Sequence, residues 1–191
     1  AVGIIGGSFE GMGDFAVTPE EMKSEFGINM IHADEEELRQ ICASVEDGEI
    51  DREIYADRER FELSEDINTE EYRINIRACL AVRKWIEKHN LSAFSVNFMK
   101  IGKHSAIKSV PFLEACKAMG RGVGYAGEGD GLTAAFTGAL IRGFRDASFI
   151  EIFCPDWKGN TLFISHMGEM NYAVADNKPQ LHSVSQGYTT A

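Results

Sequence analysis

Short apolar runs alternate with longer amphipathic segments along most of the chain. The apolar runs predict buried strands at residues 1–5, 28–31 and 93–99 and a short strand that ends at residues 125–126. The amphipathic segments predict helices that begin near residues 19, 34, 69, 111 and 132. Strands that alternate with helices are typical of a parallel sheet covered by helices. We therefore predict a three-layer α/β/α fold with a mainly parallel, Rossmann-like sheet over residues 1–146.

The pattern changes after residue 146. Two apolar runs, 148–153 and 161–167, are separated only by the turn-forming sequence PDWKGN. A connection this short joins antiparallel strands and leaves no room for a crossover helix. We predict a β-hairpin here, at the start of a β-rich C-terminal region over residues 147–191.

Negative charge is concentrated in one segment and also dominates the chain as a whole. Residues 46–70 are rich in acids and contain a few arginines, which predicts an exposed connector or an exposed helix. The 191 residues carry a net charge of −11, with a pI of about 4.9. This charge argues against nucleic acid and anionic membranes as partners, because both attract basic surfaces.

Cysteine usage and hydropathy point to the cytoplasm. The four cysteines lie far apart and form no CxxC pair, which favours free buried thiols in a reducing compartment. No apolar run approaches the roughly 20 residues of a membrane span. A signal peptide is not visible either, so we predict a cytoplasmic protein without a membrane partner.

Two glycine-rich stretches follow predicted strands. The first, GGSFEGMG at residues 6–13, lacks a P-loop lysine and GxGxxG spacing, so a phosphate site is the weaker interpretation. Turns at the carboxyl ends of strands face the ligand crevice of α/β folds, where Met12 can contact a ligand. The second, GYAGEGDGLT at residues 124–133, places two acids before a helix, and we expect Asp130 to cap that helix.

Glu151 is an acid inside the apolar run SFIEIF. Because this strand is apolar on both faces, it is predicted to be buried; Glu151 would then be paired with an arginine, protonated or bound to a metal. If Lys158 and Gly159 form a tight turn, Glu151 lies opposite His166 on the hairpin. A glutamate and a histidine at that spacing can share one divalent cation.

Glu128 is the natural third member of this group. It lies at a strand-to-helix turn, where active-site groups of α/β folds collect, and its flanking glycines allow a substrate to approach the backbone. Two glutamates and one histidine are donors that suit Mn²⁺ or Mg²⁺, and they do not resemble the thiol-rich donors of a zinc site.

The segments GEGD, SFIE and HMGE, in this order, resemble the L-arabinose isomerase family, with L-fucose isomerase as a more distant relative. GMGDFAVT at residues 11–18 looks like the start of that family's middle domain, and FSVNF at residues 94–98 looks like its FxxxF strand. The similarity runs through nearly the whole chain. It implies that the chain is the middle part of a longer protein, without the N-terminal and C-terminal domains.

The resemblance implies an enzyme that converts an aldose to its ketose with Mn²⁺, or another cation such as Mg²⁺ or Co²⁺, and without an organic cofactor. Glu128, Glu151 and His166 match three metal ligands of the family. The two glutamates also match the acid/base pair that moves a proton between C1 and C2 through an ene-diol. Met12 and Phe98 match positions that line the sugar pocket. Family active sites form between subunits, which implies a homo-oligomer of the full-length protein.

Two departures from the family pattern concern the substrate and the fourth ligand. Gly131 stands where arabinose-converting members usually carry Trp, so L-arabinose and another aldose, as in L-fucose isomerase-like enzymes, both stay open as substrates. The fourth ligand of the family is a histidine in a C-terminal β-domain, and His182 does not match its position, so the fragment alone is expected to be inactive. The alternative is a sugar-binding protein of the same fold without turnover.

Overall fold

A parallel sheet of four strands forms the centre of the structure, a computed structural model that describes residues 1–166, 168–183, 185–186 and 189–190. The strands are β1 (Val2–Ile5), β2 (Met30–His32), β3 (Glu62–Leu63), β4 (Ala93–Val96), β5 (Gly124–Gly127), β6 (Glu151–Asp156), β7 (Thr161–Ser165), β8 (Gln180–Leu181), β9 (Ser185–Gln186) and β10 (Thr189–Thr190). The central sheet has the order β2-β1-β4-β5, and each neighbouring pair is parallel. The predicted fold class is confirmed.

Helices occupy most of the connections between these strands. They are α1 (Pro19–Phe26), α2 (Glu35–Ala43), α3 (Asp47–Arg60), α4 (Thr69–Lys88), α5 (Phe112–Gly120) and α6 (Gly131–Phe144), with short 3-10 helices at Gly13–Phe15, Phe98–Lys100 and Tyr172–Val174. The helix starts follow side-chain capping: Thr18 and Glu21 form a capping box, and Asp34 accepts a hydrogen bond from the Glu37 N–H. None of the helices in the described part of the chain is long and apolar enough to cross a membrane.

The two faces of the sheet are covered by different helices. Gly3, Phe94 and Tyr125 lie in register on one face, where a Cβ added to Gly3 would meet the Trp85 ring of α4 at 2.4 Å. On the opposite face, Gly124 of β5 lies against the backbone of Gly138 in α6. Since successive strand residues point to opposite faces, this arrangement gives the helix–sheet–helix layering.

The acid-rich segment 46–70 was predicted to be an exposed connector or an exposed helix, and the structure contradicts this prediction in part. Much of it folds into α3, and two of its acids, Glu53 and Asp57, are buried. Their carboxylates lie 2.8 and 3.0 Å from the Lys117 Nζ of α5, and the Arg83 guanidinium of α4 bridges Glu53 and Glu114. Buried charges require opposite charges as partners, and helices α4 and α5 provide them.

A β-hairpin follows the α/β region, as predicted, with β6 and β7 paired antiparallel. Its strands are largely exposed, which corrects the prediction of burial on both faces: Ile152 is 65% exposed and Phe153 is 53% exposed. Only Phe149, ahead of β6, reaches the core. The apolar side chains of the hairpin have no second layer over them in the described part of the chain. The predicted second strand extended to Met167, which lies outside the described residues.

Candidate functional site

Two loops meet at the carboxyl ends of the central strands, one after β1 and the other after β5. The Phe9 N–H donates to the Glu128 carbonyl oxygen at 3.0 Å, and the Ser8 hydroxyl lies 3.1 Å from the Gly129 carbonyl oxygen. From β4, the Ser95 hydroxyl accepts the Gly129 N–H at 3.0 Å. Ligands of open α/β folds bind at this end of the sheet.

Glu128 has an unusual backbone conformation within this junction. Its φ of +65° is in the left-handed region, which costs free energy for a residue with a Cβ. Residues held in such strained conformations cluster at functional sites. Gly129 follows with φ +84°, and a Cβ there would lie 2.2 Å from the Gly7 carbonyl oxygen. Asp130 then caps α6 by accepting the Thr133 N–H at 2.8 Å, as predicted. The strained turn holds Glu128 at the loop surface.

The hairpin register differs from the predicted one at Glu151. Near the turn, Asp156 pairs with Thr161, as a tight turn at Lys158 and Gly159 requires. A β-bulge between Ile152 and Cys154 then shifts the register by one residue, so that Glu151 lies opposite Ser165 instead of His166. The predicted cross-strand pair was therefore wrong, because a bulge inserts an unpaired residue into one strand.

Glu151 and His166 are nevertheless near each other. The Glu151 Oε2 and His166 Nε2 atoms are 4.0 Å apart. Burial raises the pKa of Glu128, and the negative charge of Glu151 raises it further, while His166 acts in the opposite direction. Glu128 therefore lies close enough to Glu151 and His166 for their charges to change its pKa.

Glu128, Glu151 and His166 are not close enough to one another to coordinate one metal ion. Among the described residues, no group of three or more His, Cys, Asp or Glu side chains is close enough to hold a metal ion. The chemistry of the donors still fits a hard or borderline divalent cation, since two carboxylates and one imidazole are available. Glu128 and Glu151 would have to move toward His166 to complete such a site.

A second acid, Glu169, was not identified from the sequence. It is 1% exposed, and its Oε2 lies 3.0 Å from the His166 Nδ1, although the two atoms are not aligned as a regular N–H···O hydrogen bond. The Tyr125 hydroxyl donates to the Glu169 Oε1 at 2.6 Å. Burial alone would lower the pKa of His166, but Glu169 and the other nearby carboxylates raise it. The signal available in the sequence was the position of Glu169 three residues after His166.

Met12 and Phe98 were predicted to line a sugar pocket, and both lie beyond strand ends. Met12 is 40% exposed in the loop after β1. Phe98 follows β4 and packs edge-on against Phe9 and Phe112, at ring distances of 5.1 and 6.0 Å. Their contact with a sugar stays a prediction.

A cavity of about 310 Å³ has His166 in its wall, together with Phe112, Cys116 and Tyr172. Neither Glu128 nor Glu151 lines it. The cavity therefore borders the carboxylate–imidazole group without enclosing it.

Gly131, the position that departs from the family pattern, is the first residue of α6. A Cβ added there would meet Ile4 Cδ1 at 2.9 Å and Met30 Cε at 3.1 Å. A larger residue at this position would begin its side chain against β1 and β2, so glycine suits the packing of α6 on the sheet.

The fold and this site define a class: a three-layer α/β/α protein with two carboxylates and an imidazole grouped beyond its strand ends. Comparison with known proteins makes the class specific, because residues 9–142 match the family model described as the L-arabinose isomerase central domain. The chain belongs to this family, which confirms the resemblance seen in the sequence.

Individual relatives agree with the family assignment. The chain is 28% identical to L-arabinose isomerase 2 of Bacillus licheniformis over 170 residues, which are 84% of this chain and 35% of that protein. It is 28% identical to L-arabinose isomerase of Leuconostoc mesenteroides (72% of this chain, 30% of that protein) and 29% identical to that of Bacillus subtilis (79% and 32%). The chain thus spans about a third of the length of these relatives.

Proposed function

We propose that the full-length protein is a metal-dependent aldose–ketose isomerase of the L-arabinose isomerase type. The observation that carries the proposal is the strained Glu128 turn, which presents a carboxylate near Glu151 and His166 at the ligand-binding end of the sheet. Membership of the family supports the same class of reaction.

Glu128, Glu151 and the His166 Nε2 would hold the divalent cation, Mn²⁺ by resemblance or Mg²⁺ or Co²⁺. When bound, the cation supplies Lewis-acid polarisation of the substrate carbonyl, which acidifies the neighbouring C–H. No organic cofactor is part of the proposal.

The two glutamates would move the protons. One carboxylate takes the proton from C2 of the aldose, giving an ene-diol, and returns it to C1; the other transfers a proton between the oxygens on C1 and C2. Without a bound cation, burial and the charge of Glu151 raise the pKa of Glu128. A cation bound to the carboxylate would act in the opposite direction.

The sugar is proposed only as a class. L-Arabinose follows from the names of the relatives. The departure at Gly131 leaves another aldose equally open as the substrate. Met12 and Phe98 are proposed to contact the sugar. A homo-oligomeric assembly and a cytoplasmic location belong to the same proposal.

The test is ketose formation by the full-length protein from a panel of L- and D-aldoses with Mn²⁺, Mg²⁺ or Co²⁺. Glu128→Gln and Glu151→Gln should each lower turnover by about 10²–10⁴-fold, the usual contribution of general acid–base catalysis. The matched control is Glu87→Gln, on the exposed side of α4, which should leave turnover unchanged. Full turnover in both site variants would refute the mechanism. Sugar binding without product under all three metals would instead identify a binding protein.

A further inference from the structure

A chain of three polar side chains runs from the interior of the fold to the candidate metal site. It passes from the Tyr125 hydroxyl to Glu169 Oε1 at 2.6 Å, and from Glu169 Oε2 to His166 Nδ1 at 3.0 Å. On the far side of the ring, His166 Nε2 lies 4.0 Å from Glu151. The two ring nitrogens of His166 therefore face different groups.

Burying a carboxylate as deeply as Glu169 is costly unless it is paired. One of its oxygens accepts the hydrogen bond from the Tyr125 phenol, and the other lies 3.0 Å from the Nδ1 atom of the His166 ring. A carboxylate beside one ring nitrogen of a neutral histidine keeps the proton on that nitrogen. The lone pair of the other nitrogen is then free to accept a cation.

The backbone that carries Glu169 is held independently of His166. The Cys116 thiol of α5 lies 3.3 Å from the Gly168 carbonyl oxygen and accepts the Met170 N–H at 3.4 Å. The Asn171 side chain donates to the Ala147 carbonyl oxygen at 2.9 Å. These contacts fix Glu169 relative to α5 and to the segment that leads into β6.

The imidazole ring is restrained on a second side by Phe149. The two rings are 4.6 Å apart and meet edge-on, and Phe149 is itself part of the core. Phe149 thus limits the tilt of the ring, and Glu169 limits its rotation.

We propose that Glu169 is a positioning residue that fixes the tautomer and orientation of His166, so that Nε2 faces the cation, with Tyr125 holding Glu169 in place. This inference rests on the proposed function, since it assigns Glu169 to the same metal site. Carboxylates behind ligating histidines commonly alter metal affinity by 10–100-fold when they are removed.

The test compares the full-length wild type with Glu169→Gln, which keeps the shape of the side chain and removes its charge. The first readout is the ¹⁵N NMR spectrum of the metal-free protein at alkaline pH, which reports which nitrogen of His166 carries the proton. We expect the proton on Nδ1 in the wild type and a mixture in the variant. The second readout is Mn²⁺ affinity by calorimetry, which should fall by about 10–100-fold in the variant.

Further variants separate positioning from folding. Glu169→Asp keeps the charge and should recover part of the Mn²⁺ affinity, while Glu87→Gln on the surface should not change it. If Glu169→Gln does not fold, Tyr125→Phe removes only the supporting hydrogen bond and should give a smaller change of the same kind in both readouts.

A wild type with the His166 proton on Nε2, or a Glu169→Gln variant with unchanged tautomer and Mn²⁺ affinity, would overturn the inference. The NMR readout does not depend on turnover. A protein that binds Mn²⁺ through an oriented His166 but converts no aldose would therefore contradict the proposed function and leave this inference standing.

Discussion

The closeness of the loops after β1 and β5 predicts that Gly129 tolerates no side chain. In Gly129→Ala, the added Cβ would lie 2.2 Å from the Gly7 carbonyl oxygen and 2.5 Å from the Ser8 Cα. These are backbone atoms, so the clash is relieved only by moving one loop away from the other. Gly122→Ala is a matched control, because Gly122 has the same φ of +84° and no atom within 4 Å of its added Cβ.

The expected magnitudes follow from the two effects. Alanine in the left-handed region costs about 1–2 kcal/mol, and both variants carry this cost. Separation of the loops in Gly129→Ala also disrupts the two hydrogen bonds from Ser8 and Phe9, at about 0.5–1.5 kcal/mol each. The free energy of unfolding should therefore fall by about 1–2 kcal/mol in Gly122→Ala and by about 2–5 kcal/mol in Gly129→Ala.

Urea denaturation measures these differences directly, and thermal unfolding provides a second estimate. For a protein of this size, each kcal/mol lowers Tm by about 2–4 °C. Mn²⁺ affinity should also fall in Gly129→Ala and not in Gly122→Ala, because only the former displaces the Glu128 turn. Unfolding free energies that agree to within about 0.5 kcal/mol for the two variants would refute the argument from loop contact.

Three further predictions concern the buried charges and one helix cap. Lys117→Met leaves Asp57 buried without its lysine partner and should lower the free energy of unfolding by about 3–5 kcal/mol, measured by urea denaturation. The control Lys84→Met breaks a partly exposed ion pair and should lower it by at most about 1 kcal/mol. Equal losses in the two variants would contradict the importance of burial. Burial alone would raise the pKa of Glu53, but hydrogen bonds from Arg83 and the charge of Lys117 hold it well below the ordinary value of 4.5. A lowered carboxyl pKa stabilises the fold above pH 4.5, and this stabilisation is lost as the pH falls below that value. Glu53→Gln should therefore reduce the slope of unfolding free energy against pH on the acid side. An unchanged slope would contradict this prediction. Asp130→Ala removes the cap of α6 and should cost about 0.5–2 kcal/mol in the same denaturation assay, with a loss near zero as the contrary result.

The parts of the fold that could be predicted from sequence depend on local patterns. The parallel sheet followed from apolar runs separated by helical periodicity, and the start of α6 followed from Asp130 placed before an apolar segment. The hairpin turn followed from its short polar connection. Each of these features is determined by neighbouring residues, which is why one sequence was sufficient.

Features that depend on tertiary contacts could not be predicted in this way. The bulge between Ile152 and Cys154 changes the pairing of Glu151 by one residue, and the residue types at these positions do not mark it. The buried face of α3 was mistaken for a solvated one, because Glu53 and Asp57 find their partners on α4 and α5, far along the chain. The pairing of buried Glu169 with Tyr125, 44 positions earlier, likewise depends on a tertiary contact.

The charged contacts of α3 have a consequence for the order of folding. Among the residues of α3, Ile50 is the one apolar side chain that is fully buried. Burial of apolar surface therefore contributes little to the early packing of this helix against α4 and α5. Within the helix, Glu53 and Asp57 pair with Arg60. Their other cationic partners, Arg83 and Lys117, lie on α4 and α5, which must be packed before these ion pairs can form. We therefore expect α3 to join the structure after the main folding barrier, and its loosening to be an early event in unfolding.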